Sequence, residues 1–228
     1  MQALEGLNCR PAKAAPFRQK MVRSKNCLIL TPIDQAKRSL AQRMRVVRNL
    51  AHNQAGQKAS QSICENFSWA RNNGLALHRG TIISGYWPIL DELDVRILLE
   101  GLSSEGMQCV LPVVHKTTKT LLFRSWQPND PLAVKCFGIS EPKANQPCMN
   151  PDVMLVPLLA VDYQGNRLGY GGGYFDRTIF SYRLKQFGSV TAVGIAFEAQ
   201  RITKVPFDDQ DARLDWLVTE KGIYRFNV

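Results

Sequence analysis

The sequence predicts an α/β protein: a single three-layer α/β/α domain with a mainly parallel, doubly wound sheet. Three observations lead there. Strand-like and helix-like segments alternate along the chain. Several strands, DVMLVPLLAV and VTAVGIAF above all, are apolar without alternation, as strands buried on both faces are. Hydrophobic residues make up 45% of the 228, against 21% charged, which suits a folded chain with a sizeable core.

In order, residues 1–30 form a basic N-terminal extension in which Pro11 and Pro16 oppose a helix, and 31–228 form the domain. Thr31-Pro32-Ile33-Asp34 starts a helix, with Thr31 as cap and proline in the first turn, running to about Asn53. A second helix is expected over Ser60–Asn73. Thr81–Trp87 reads as a strand. Leu93, Ile97, Leu98 and Leu102 form the apolar stripe of a helix over Asp91–Glu105, ended by Gly106. Strands follow at Gln108–Val114, Leu121–Trp126 and Asp152–Val161, then a helix over Tyr174–Phe187. The last strands are Val190–Phe197, Leu214–Leu217 and Ile223–Phe226.

The longest apolar runs, Val153–Val161 and Cys109–Val114, fall far short of the roughly 20 residues of a membrane helix. The opening MQALEGLNCRPAK has no continuous apolar stretch, so a cytoplasmic protein is expected, with no membrane partner. The six cysteines contain no C-x-x-C pair, and His52, His78 and His115 stand apart, so neither a zinc site nor a disulfide framework is expected. Charge is uneven. Residues 1–50 hold eleven Lys/Arg against Glu5 and Asp34, a net of +9 out of +10 overall. Such a segment suits a nucleic-acid-binding arm, a phosphate site for a small anion, or a solvated helix face. Against nucleic acid, Phe17 is its only aromatic residue. The first thirty residues, basic and poor in acids, also suit an organellar transit segment, though serines are few.

The segment that carries chemistry is Asp162–Arg177, DYQGNRLGYGGGYFDR, between the most apolar strand and a helix. Its glycines let backbone approach a ligand, and the N–H groups at the helix start favour an anion. Arg167 before the glycines can clamp phosphate, and Asp176 after them can hold a Mg²⁺ bound to that phosphate. The spacing is neither a Walker A loop nor G-x-G-x-x-G, since Tyr174 occupies the last glycine position.

This segment, continued upstream as LVPLLAVDYQGNRLGYGGGYFDR, resembles the signature of the 5-formyltetrahydrofolate cyclo-ligase (5,10-methenyltetrahydrofolate synthetase) family. Three further blocks agree in order: Tyr86–Val114, the GISEP of Gly138–Pro142, and Ala192–Tyr224 with its Q…VP…D…TE pattern. The resemblance implies phosphoryl transfer from ATP to the formyl oxygen of 5-formyltetrahydrofolate, attack by N10, and release of ADP and phosphate. It implies small-molecule partners only, and a monomer.

Carried over residue by residue, it gives ATP to Lys37, Arg167, Leu168, Gly169, Tyr170, Gly171, Gly172, Gly173, Tyr174 and Phe175. It gives Mg²⁺ to Asp176 and Asp211, the reduced folate to Trp87, Glu92, Tyr170 and Tyr174, and catalytic roles to Arg167 and Tyr174. The chain departs from the family in three places, the mildest being Tyr174-Phe175 where Tyr-Tyr is commoner. The family's first helix carries K-x-x-L-R, whereas Lys37-Arg38-Ser39-Leu40 is followed by Ala41, with Arg43 or Arg45 as the candidate replacement cation. Val95 replaces a family threonine. Two alternatives remain open: a nucleic-acid-binding protein using the basic segment, and a nucleotide-binding relative without turnover.

Overall fold

The computed structural model describes residues 31–135, 138–186 and 190–227. The expected extension 1–30, Cys9, Cys27, Cys136 and the expected helix end at Phe187 lie outside the described residues. Helix α1 (Pro32–Asn72) is followed by β1 (Ile82–Ser84), α2 (Arg96–Ser104), β2 (Gln108–His115), β3 (Thr120–Ser125), β4 (Leu132–Val134) and β5 (Ser140–Pro142). Then come β6 (Val153–Pro157), β7 (Ala160–Val161), β8 (Arg167–Leu168), α3 (Tyr174–Ser181), β9 (Thr191–Ile195), β10 (Trp216–Val218) and β11 (Ile223–Arg225).

Seven strands form one sheet in the order β11-β10-β9-β6-β1-β2-β3. The five central strands are parallel, and the two edges, β3 and β11, are antiparallel. Alternate residues of the central strands feed two cores. Ile83, Cys109, Leu155 and Val193 face α1 and α2, packing on Ile63, Phe67, Leu99 and Leu102. Val110, Met154, Val156 and Ala192 face Ile179 of α3. These strands read as continuous apolar runs because both faces are covered. The β1–α2–β2 crossover uses one face and β6–α3–β9 the other. The chain therefore parts between β1 and β6, and the crevice beyond their carboxyl ends is where doubly wound sheets bind ligands.

Several elements differ from the sequence-based expectation, among them the strand expected over Thr81–Trp87, which spans only Ile82–Ser84, and the short β4–β5 hairpin, absent from that expectation. The two expected helices are one: α1 runs unbroken for 41 residues. Only Gly56 interrupts good helix formers between Asn53 and Ser60, and a single glycine costs about 1 kcal/mol, too little to end a packed helix. Helix α2 starts at Arg96, five residues later than expected, because Leu90 takes a left-handed φ of 54° and Asp91 is held by Arg48. The long apolar run breaks at Pro157; Ala160–Val161 pairs instead with Arg167–Leu168 as a short hairpin. Helix α3 ends at Ser181 and loosens into a π turn over Tyr182–Gln186. Among the described residues, no helix is long and apolar enough to cross a membrane, and Cys64, Cys109 and Cys148 are free thiols.

Candidate active site

Three pieces of chain meet in the crevice. The first is the hairpin and glycine turn after β6. Gln200, buried, holds the chain as it leaves the sheet, donating from Nε2 to the carbonyls of Leu158 (2.8 Å) and Leu159 (3.1 Å). Asp162 then gathers the backbone N–H groups of Gln164, Asn166 and Val205 at 2.9, 3.0 and 3.2 Å. With that turn fixed, β8 buries Leu168 against Leu40, Ala41 and Met44 of α1. Arg167, its neighbour, is also buried; it donates to Asp176 Oδ1 at 2.6 Å. The Arg167 Nε has no partner among the described residues. The turn itself uses left-handed φ at Gly171 (95°) and Gly173 (64°), and Gly173 starts α3. At these two positions only glycine is free of strain.

The second piece is the loop Asp208–Ala212. The Ala212 N–H donates to Asp176 Oδ1 at 3.1 Å, so Asp176 bridges Arg167 and this loop. One residue earlier, Asp211 pairs with Lys37 of α1, which also reaches Asp208 at 3.2 Å. Burial works against the Lys37 charge, but the two carboxylates outweigh it and hold the ammonium above its ordinary value. Burial raises the Asp211 carboxyl, an effect Lys37 only partly offsets. Arg167, Asp176, Asp211 and Lys37 thus form one charged strip beside the glycine turn, two carboxylates flanked by two cations. Among the described residues no three His, Cys, Asp or Glu side chains gather as a metal cage.

The third piece is the loop after β1. Glu92 is buried, with Oε2 accepting the Ile89 N–H at 3.0 Å, and burial raises its carboxyl above the ordinary value. Arg48 of α1 is 1% exposed. It donates through Nε and Nη2 to Asp91 Oδ1, and its Nη1 lies 3.8 Å from Glu92 Oε1. Tyr170, from the glycine turn, places its ring centroid 5.2 Å from the Arg48 guanidinium carbon. Burial and the Glu92 charge push the Tyr170 phenol well up. The glycine turn therefore touches both the charged strip and the Glu92 corner.

Other expected residues sit elsewhere. Trp87 stacks edge-on with Trp126 at 6.3 Å and under Arg96 at 5.2 Å, in a groove of about 450 Å³ that Glu92 does not line. Tyr174 and Phe175 are partly buried against the α3-side core, and Tyr174 also lies 5.5 Å from the Arg177 guanidinium carbon. The GISEP block braces the fold: buried Glu141 accepts the Val114 N–H of β2 at 3.0 Å. Arg43 and Arg45, the candidates to replace the arginine missing at position 41, are both exposed. Ala41 is buried in the core instead. The arginine that α1 turns inward is Arg48, which the sequence reading passed over, as it did Asp91. The signal was present. Arg48 lies four residues beyond Met44 and eight beyond Leu40, on the buried stripe of the helix, where a charge needs a partner.

Comparison with known proteins accords with this geometry. Residues 33–220 match the sequence model of the 5-formyltetrahydrofolate cyclo-ligase family. The 5-formyltetrahydrofolate cyclo-ligase of Haemophilus influenzae is 36% identical over 137 residues, spanning 58% of this chain and 72% of that protein. The same-named protein of Escherichia coli K12 is 34% identical over 140 residues, 59% of this chain and 75% of its own. The solved 5,10-methenyltetrahydrofolate synthetase of Aquifex aeolicus superposes with a TM-score of 0.65 at 27% identity, covering 84% of this chain and 93% of that one. That of Mycoplasma pneumoniae, at 20% identity and a TM-score of 0.61 over 81% of this chain and 98% of that one, shares the fold. With nearly the whole described chain matched, from the start of α1 through β10, this protein belongs to the 5-formyltetrahydrofolate cyclo-ligase family.

Proposed function

We propose that this chain closes 5-formyltetrahydrofolate to 5,10-methenyltetrahydrofolate, consuming ATP with Mg²⁺ and releasing ADP and phosphate as a cytoplasmic monomer. One observation carries the reading beyond family membership. A buried arginine, Arg167, with an unpartnered Nε, stands beside a glycine turn at the mouth of a doubly wound sheet. A buried guanidinium with a spare donor is suited to an anion.

The residues divide the work. The Gly169–Gly173 turn and the first N–H groups of α3 would face the triphosphate, with Arg167 and Lys37 as its cations. Asp176 and Asp211 suit Mg²⁺, which is usually held by one or two carboxylates with phosphate oxygens and water completing its shell, so a full protein cage is not required. When bound there, the ion would draw negative charge off the phosphates. The Ala212 N–H, next in chain to Asp211, donates to Asp176, which links the two candidates through one peptide.

The formyl oxygen of an amide is a poor leaving group. Transfer of the γ-phosphoryl to that oxygen makes it a good one. N10 then attacks the formyl carbon, loses its proton, and phosphate departs with the C–O bond. The chain's part is to align the two substrates and keep water from the phosphoryl group. Tyr170, spanning from the glycine turn to Glu92, stands where the two substrates would meet. Lys37 and Arg48, both inside the basic segment, are turned onto carboxylates, which draws them away from a nucleic-acid surface.

The test follows ADP release and methenyl-product absorbance together. Both are expected to rise in step, and only when 5-formyltetrahydrofolate and Mg²⁺ are present. ADP release indifferent to folate, or nucleotide binding with no product, would overturn the reading. For Lys37→Met, KM for ATP should rise about tenfold, the worth of one charge-assisted contact, with KM for the folate little changed.

Glu92 adds a pH prediction. Its carboxyl, raised by burial, takes up its proton above the ordinary 4.5. If ionised Glu92 accepts a folate N–H, KM for the folate should climb as pH falls through that raised value. Stability should move the other way for this group. A raised carboxyl favours the fold below its unfolded value, and that contribution is lost as pH rises through the folded one. The steady-state pH profile should lose its acid limb in Glu92→Gln. Retention of the limb in that variant removes Glu92 as its source.

A further inference from the structure

We propose that Arg48 is a substrate-recognition residue: its Nη1, together with the carboxylate of Glu92, reads the carbonyl and N–H edge of the pterin ring. This deepens the reading given above and rests on it. Arg48 is among the most deeply buried charged side chains described, yet its fork is only half used. Nε and Nη2 both serve one oxygen of Asp91, whereas Nη1, buried, makes no well-formed hydrogen bond among the described residues, its polar neighbours being Glu92 and the Tyr170 hydroxyl. A buried donor left over in this way points to a ligand acceptor.

The surroundings say which acceptor. Glu92 Oε1 faces Nη1 at 3.8 Å, too far for a hydrogen bond. One donor and one anionic acceptor therefore stand side by side. Their complement is a group with a carbonyl next to an N–H, as in the lactam edge of a pterin, whose 2-amino group offers the carboxylate a further donor. A free carboxylate, such as the glutamate end of a folate, would be repelled by Glu92. The Tyr170 ring covers the guanidinium from the glycine turn and is 38% exposed, so it bounds the corner on the solvent side. The proposal gives the arginine absent at position 41 no substitute on the phosphates. The inward cation of this helix serves the other substrate.

The experiment compares two inhibitors, the 4-oxo pterin and its 4-amino counterpart, which presents a donor where Arg48 needs an acceptor and lacks the ring N–H next to it that Glu92 would accept. The wild-type protein should bind the 4-oxo compound at least about tenfold more tightly. Arg48→Met should weaken the 4-oxo compound by that factor or more and shrink the preference to the part that Glu92 alone maintains, with KM for ATP unmoved. Arg48→Met leaves Asp91 without its cation, so Arg48→Met/Asp91→Leu and Arg48→Lys are measured beside it. A preference of undiminished size in these variants overturns the assignment. So does equal weakening of both inhibitors and ATP, the mark of a structural role, and so does a wild-type protein indifferent to C4. Those outcomes leave methenyl-product formation by the wild type intact. Absence of that product removes the underlying reading, and this inference with it.

Discussion

Replacing Asp176 by asparagine is expected to lower Mg²⁺-dependent turnover by about two to three orders of magnitude while the chain still folds. The substitution is nearly isosteric. An asparagine Oδ1 can still accept from Arg167 and from the Ala212 N–H, the two contacts that Asp176 makes at 2.6 and 3.1 Å. What disappears is the negative charge beside the glycine turn. That charge would help hold Mg²⁺ against the phosphates and would restrain Arg167 between turnovers. The measurement is kcat over a Mg²⁺ titration, with a melting curve on the same sample. A melting temperature close to wild type with kcat sharply reduced supports the role. Unchanged kcat at every Mg²⁺ concentration removes Asp176 from the metal site.

The second large effect is on stability. Asp162→Ala is expected to cost about 4 kcal/mol and lower the melting temperature by roughly 10 °C. Asp162 is 3% exposed, and among the described residues it faces no cationic partner. Its charge is held by N–H donors alone: three backbone groups, and the Asn166 amide at 2.9 Å from Oδ2. Removing the carboxylate leaves them inside the protein unsatisfied, each at about 1–3 kcal/mol before relaxation. The same donors define the hairpin that presents Arg167, so activity should fall with stability. Denaturant unfolding gives the number; a loss under about 1 kcal/mol would show that the hairpin is held by its apolar contacts instead.

What the sequence revealed, and what it hid, follows from the range of the interactions. The parallel sheet was legible because burial on both faces removes alternation, as at Val153–Val156 and Ala192–Ile195. The charged strip was legible because Arg167, the glycines and Asp176 lie within ten residues of one another. Pro157 was visible as a letter, but only the partner β9 shows that the sheet ends there. The joint in α1 was misread because a lone glycine weighs little against tertiary packing. Arg48 and Asp91 were missed because they meet across forty-three residues. Trp87, which shares a loop with Glu92, lines a groove with Trp126 and Arg96 that Glu92 does not line.

Helix α1 has one further consequence. Lys37 and Arg48 are eleven residues apart on one uninterrupted rod, a separation of about 16 Å along its axis. Gly56, its weakest point, comes after both. The helix therefore acts as a ruler. If Lys37 grips the nucleotide and Arg48 the pterin, as proposed above, the gap between the two grips would be cut into the backbone in advance, and neither could drift without dragging the other. Alignment of the two reactants would then be a property of the empty protein, and a residue inserted between the two cations would swing one of them about 100° around the rod.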